Sequence, residues 1–144
     1  MKANRIVPKQ KGTRLEEAYV ELNILQQQID HVQKYLEYAE EQLRNINNTI
    51  AAIATFAKQK KGTPAKAPLA NGIFFSCNIE DTKHLFVNVG NDIVVKKTPQ
   101  ECISLFTAHK EELEQTTQEA FAQLSKLIQK MEDVKAKIKA NPPA

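Results

Sequence analysis

Residues 71–98, NGIFFSCNIEDTKHLFVNVGNDIVVKKT, are the only part of the 144-residue chain that reads as β structure, and a long helical pattern leaves them on either side. Ile73, Phe75, Cys77 and Ile79 fall on one face at period two, with Phe74, Ser76 and Asn78 on the other. That is the alternation of a strand with one buried side. Leu85, Val87 and Val89 alternate with Phe86 and Asn88 in a second strand, and Ile93-Val94-Val95 forms a third after Gly90-Asn91-Asp92. Gly90 and Asn91 tolerate positive φ, so a hairpin turn is expected there. Glu80-Asp81-Thr82-Lys83 makes the turn between the first strand and the second.

Three short strands cannot satisfy their own outer edges, and a sheet of this size is marginal in water unless something packs on it. The stretch is therefore expected to be an assembly hub completed by other subunits. Ile73, Phe75, Ile79, Leu85, Val87, Val89, Ile93 and Val95 are its candidate contact residues.

Upstream, Leu15, Ala18, Leu22, Leu25, Ile29, Val32, Leu36, Ala39, Leu43, Ile46, Ile50 and Ile53 follow at alternating steps of three and four. This is a heptad seam with every a and d position apolar, whereas a globular amphipathic helix would drift off that register. A helix over residues 14–60 would be roughly 70 Å long at its rise per residue, too long for a compact domain, so it must project. Residues 1–13 carry Pro8, Gly12 and several basic residues and read as a flexible arm, with Thr13 as N-cap and Glu16 three residues on. Tyr19, Val20 and Ile24 occupy e, f and c positions, away from the seam, in the part of the helix farthest from the hub. Scattered surface apolar residues are common, but a cluster at one end suits a contact surface.

Residues 61–98 make up the linker and hub. A fourth strand over 65–69 is left open, and Pro64 and Pro68 would restrict it to an edge. Thr98, Pro99 and Glu101 form an N-cap, a first-turn proline and a capping box, so the second helix spans 99–140, followed by a tail at 141–144. Its seam is Ile103, Phe106, Leu113, Ala120, Leu124, Leu127, Met131, Val134 and Ile138, interrupted only by Lys110 and Thr117; Phe121 and Ile128 flank it. Two matched helices across a compact connection pack antiparallel. Leu15 to Ile24 should then lie beside Val134 to Ile138, away from the hub.

Composition agrees. The chain is 6% aromatic with no Trp, and its mean hydropathy is -0.46, thin material for a globular core. Cys77 and Cys102 have no paired or metal-binding spacing and read as buried reduced thiols. No secretory leader and no bilayer-length apolar run is seen, which leads to the expectation of a soluble, cytoplasmic protein without membrane association. The formal net charge is +3, with basic residues gathered toward both termini. Solvated ends account for that, and attraction to an acidic partner is the functional alternative.

The layout resembles the alpha-type subunit of the prefoldin family over nearly the whole chain. The specific wording is Ile79-Glu80-Asp81-Thr82-Lys83, then Leu85-Phe86-Val87-Asn88-Val89-Gly90 and Val94-Val95-Lys96-Lys97-Thr98. Two positions depart from the family pattern. Ala65-Lys66-Ala67-Pro68-Leu69-Ala70 stands where a more apolar strand and a Pro-Leu-Gly turn are usual, and Asp92 stands where a second glycine is usual. The resemblance implies an α+β fold, a long antiparallel coiled-coil hairpin with a small β-hairpin insert that builds an intersubunit β-barrel. It further implies an ATP-independent chaperone in which two alpha-type and four beta-type subunits hold unfolded polypeptides between coiled-coil tips and pass them to a group II chaperonin. Tyr19, Val20, Ile24, Val134 and Ile138 are the candidate client contacts, with Ile6 and Val7 from the arm as additions. A gamma-type paralogue that builds filaments is the alternative within the family.

Other classes fit less well. There is no phosphate-cradling glycine loop, HExxH or nucleophile elbow, and His31, His84 and His109 stand apart, so neither catalysis nor a metal or cofactor is expected. The basic stretches lack interleaved aromatics, which argues against nucleic acid. A purely structural coiled-coil tether would not need a strand-rich insert with unpaired edges.

Overall fold

The computed structural model describes residues 2–140, with side chains from residue 14 onward. Its elements are α1 (Lys2–Ala57), β1 (Pro64–Ala70), β2 (Ile73–Asn78), β3 (Leu85–Asn88), β4 (Val94–Lys97) and α2 (Pro99–Ala140). They form two compact units, one made by residues up to 40 with those from 115 onward, the other by 41–114.

In the first unit the heptad seams meet as their spacing requires. Leu25, Ile29 and Val32 of α1 cluster with Ala120, Leu127, Met131 and Val134 of α2. Ala18, Leu22, Tyr35, Leu36, Leu124 and Ile138 pack against that cluster. The two helices are antiparallel, and apolar side chains at a and d remove each other from water along the shared line. α1 carries on through residues 2–13, the stretch read as an arm. Its Lys, Arg and Gln favour helix, against the main-chain bond that Pro8 removes and the crowding its ring brings to the preceding turn. The side chains of Ile6 and Val7, and the tail at 141–144, lie outside the described residues.

The second unit holds the ends of both helices and four strands. β1 pairs antiparallel with β2, and β3 with β4, as two separate two-stranded sheets. The strand left open over 65–69 does form, running Pro64–Ala70. Its turn is Asn71-Gly72, with φ of 47° and 79°, the pair of positive-φ residues a two-residue hairpin loop requires. Residues 80–83 therefore do not fold β2 back on β3. They connect two hairpins, held by Lys83 N–H donating to Asp81 Oδ1 at 2.8 Å.

The second hairpin turns where expected. Gly90, Asn91 and Asp92 all have positive φ, Ile93 N–H donates to Gly90 O at 2.9 Å, and Val89 N–H donates to Ile93 O at 2.9 Å. The capping box closes as read: Glu101 N–H donates to Thr98 Oγ1 at 3.1 Å and Thr98 N–H to Glu101 Oε1 at 3.0 Å. Both cysteines are free, Cys102 buried and Cys77 half-buried.

Candidate functional site

Among the described residues, none of the buried ones lies on a strand; all belong to the helices. Large apolar side chains of the hairpins instead face water, among them Leu69, Ile73, Phe74, Phe75, Phe86, Val89, Ile93 and Val94, with Phe86 74% exposed. Ile79, Leu85, Val87 and Val95, the rest of the expected hub residues, are half-buried. The expected hub residues thus divide: Ile79, Leu85, Val87 and Val95 are partly covered within the chain, and Ile73, Phe75, Val89 and Ile93 are exposed. Leu69, Phe74, Phe86 and Val94 add to the expected contact residues, and Phe74 and Phe86 are large and apolar on the face that the alternation points outward. Apolar residues on both faces of a strand are the signal of a two-sided burial.

The edges differ as well. Ile79 N–H donates to Thr63 O at 2.9 Å, and Ala65↔Cys77 and Ala67↔Phe75 follow at alternate positions of the ladder. The intervening Pro64, Lys66 and Pro68 then direct their main-chain nitrogens away from β2. Two of these three have no N–H, so the outer edge of β1 is a poor template for another strand. On β2 the corresponding outward positions are Phe74, Ser76 and Asn78, all with free donors. One side of this hairpin is closed to strand addition and the other is open.

In the coiled-coil unit, Tyr19, Val20 and Ile24 are exposed, as are Tyr38, Phe121 and Ile128. Val134 and Ile138, the other two candidate contacts, are placed differently. Val134 is 3% exposed within the core cluster, and Ile138 packs against it. Both sit on the seam, so they hold the helices together in this structure, and Phe121 and Ile128 are the large exposed apolar side chains of α2 in this unit.

Charged groups in the second unit serve the turns. Asp81 accepts the Lys83 N–H and lies 3.0 Å from His84 Nδ1; the main-chain donor first, then the imidazole, lowers its pKa below the ordinary aspartate value. Glu101 is likewise held low by its hydrogen bonds from Thr98. Neither lies in an enclosed site. Among the described residues no group of three His, Cys, Asp or Glu could hold a metal ion, and no helix is long and apolar enough to cross a membrane.

Comparison with known proteins places these surfaces in a family. The family model for "Prefoldin subunit" matches residues 25–141. The chain is 22% identical over 130 residues to the prefoldin subunit alpha of Thermofilum pendens, covering 90% of this chain and 98% of the relative. It is 26% identical over 119 residues to that of Methanococcoides burtonii, covering 83% and 86%. Among solved structures it resembles the cryo-EM structure of filamentous PFD from Methanocaldococcus jannaschii, with a TM-score of 0.74 at 14% identity, over 83% of this chain and 98% of the other.

Proposed function

The chain belongs to the prefoldin family, a family of chaperones and not of enzymes, and from that premise we propose that it is an alpha-type subunit of an ATP-independent holding chaperone. The observation that carries the reading is the unburied apolar surface of the two hairpins. A single chain leaves it in water, and strands from other subunits are its natural cover. In the assembled particle, beta-type subunits complete a β-barrel with these hairpins, and several coiled coils hold a non-native polypeptide together. Weak contacts from several arms retain a client through effective concentration and still let it go. Tyr19, Val20 and Ile24 are the client contacts we assign to this chain. Val134 and Ile138 add to them only if the helix ends part. Transfer to a group II chaperonin in the cytoplasm completes the proposed cycle, and no nucleic acid takes part.

Two measurements test this. Mixed with a candidate beta-type subunit, the chain should move in native mass measurement to a hetero-hexamer of two alpha and four beta. A compact, stable monomer that ignores every beta-type partner would overturn the reading. Replacing Tyr19, Val20 and Ile24 by Ser should weaken suppression of client aggregation while the hexamer persists; unchanged suppression would reject that site. A gamma-type role, in which copies of this chain cover one another's hairpins, gains support only from the fold it shares with a filamentous structure. It predicts long self-assemblies in the same mass measurement.

A further inference from the structure

A groove of about 720 Å³ runs between α1 and α2 in the coiled-coil unit. Its floor is Val32 and Leu127, both buried members of the core cluster, continued by the exposed Ile24. His31, Lys126 and Lys130 line it together with glutamine amides, and no carboxylate does. Lys126 and Lys130 are four residues apart on one helix and so share a face, and neither pairs with a carboxylate among the described residues. Phe121 and Ile128, at the e positions of α2, are exposed and do not line this groove.

From the combination of an apolar floor with a cationic rim we infer that this groove selects, among non-native polypeptides, segments in which apolar side chains alternate with Asp or Glu. The inference rests on the holding function proposed above and names the client chemistry that one flank of the coiled coil prefers. A Leu or Phe of such a segment seats against Val32, Leu127 and Ile24, losing water on both sides. Neighbouring carboxylates then reach the Lys126 and Lys130 ammonium groups, while a segment carrying Lys or Arg meets like charge. Ion pairs in solvent are individually weak, so two of them bias selection about three- to tenfold at low salt and less as salt screens them. The rim decides which segment stays, and the floor supplies the contact common to all.

The test uses the full chain assembled with its beta-type partner and three dye-labelled unfolded peptides with the same Leu and Phe positions. The residues between these are Asp and Glu in one peptide, Ser in the second and Lys in the third. Fluorescence anisotropy at low salt should rank them acidic, neutral, basic, over about a three- to tenfold range in Kd. K126E/K130E should reverse the order, and K126A/K130A should level it, both with unchanged helical circular dichroism. Equal binding of all three peptides to the unsubstituted protein, or a preference that survives K126E/K130E, would overturn the inference while leaving the holding function standing. Failure of every peptide to bind would overturn both. A single-stranded oligonucleotide of matched charge that displaces the acidic peptide at equal concentration would show a site reading charge alone, and the peptide assignment would fall.

Discussion

Leu127 and Phe86 are both large apolar side chains, and the chain treats them in opposite ways. Leu127 is 7% exposed in the coiled-coil unit, where α1 supplies the atoms that exclude water from it. Phe86 is 74% exposed on β3, opposite Lys96 on β4, with no residue of either hairpin buried. One region completes its apolar seam from its own sequence. The other leaves its apolar side chains in water, and under the function proposed above other subunits cover them. Apolar content alone therefore says little about where stability resides; what matters is whether the complementary surface is encoded in the same polypeptide.

The difference predicts opposite outcomes for matched truncations. Leu127→Ala should lower the stability of the isolated chain by about 2–5 kcal/mol, the cost of removing a buried Leu and leaving a partly collapsed cavity. Urea unfolding followed by helical circular dichroism measures it. Phe86→Ser should shift the same curve by less than about 0.5 kcal/mol, as exposed substitutions do, yet weaken association with a beta-type subunit. If Phe86→Ser unfolds the isolated chain, the hairpins are covered from within and the contrast disappears.

The coiled coil is itself uneven. Lys110 falls on an a position of α2 and is half-buried there, where its ammonium must reach water along its own stem. A single polar a residue fixes helix register at a cost in stability. Lys110→Leu should raise stability by about 1 kcal/mol, half the gain of fully burying a Leu, read as a higher urea midpoint at unchanged slope. No change would mean that the Lys stem already covers as much apolar surface as Leu would.

How far the sequence discloses each region follows from the same contrast. The helices are legible because a heptad seam repeats one local rule: every a and d position expected on α1, Leu15 through Ile53, is buried or half-buried. α2 spans Pro99–Ala140, and Thr98, Pro99 and Glu101 mark its start with local chemistry. The hub was harder. Its first strand, PAKAPLA, lacks the β-branched residues of a typical strand, and the clue was instead Asn71-Gly72, the turn pair that directs a chain back on itself. That turn pairs Pro64–Ala70 with β2, which leaves Glu80 to Lys83 to join two hairpins and not to fold one strand back on the next. Exposure was least legible of all. Val134 and Ile138 share a stretch of the coiled coil with Tyr19, Val20 and Ile24, yet seam register, not position along the helix, sets their burial.

Where the second hairpin meets α2, the contrast can be probed through pH. The Glu101 carboxylate accepts the Thr98 N–H, and this holds its pKa below the ordinary glutamate value. A lowered folded pKa means stability that is present above the unfolded value, roughly 4.3, and is lost as pH falls through the lower folded value. The first helical bond, Cys102 N–H to Thr98 O at 3.0 Å, should therefore exchange with solvent faster across that acid window. Glu101→Gln, which keeps a capping oxygen without the charge, should remove this pH dependence. Thr98→Ala should cost about 1 kcal/mol at neutral pH through the lost cap.

The smallest effect belongs to the hairpin turn. Asp92 has a φ of 59°, a conformation in which its Cβ crowds the backbone, whereas Gly90, two residues before it, is free of that penalty. Release of the strain by Asp92→Gly is worth about 1 kcal/mol, and the added freedom of the unfolded glycine offsets roughly half of it. No neighbouring side chain is needed for that balance, because the conformation is dictated by the turn. The gain should appear as slower exchange of the Ile93 and Val89 amides, whose bonds close the turn, with the helical melting curve unmoved. A variant that instead raised the whole melting transition would show the hairpin and the coiled coil unfolding as one cooperative body. In that case the isolated chain would already stabilise the surface that the contrast between Leu127 and Phe86 assigns to its partners.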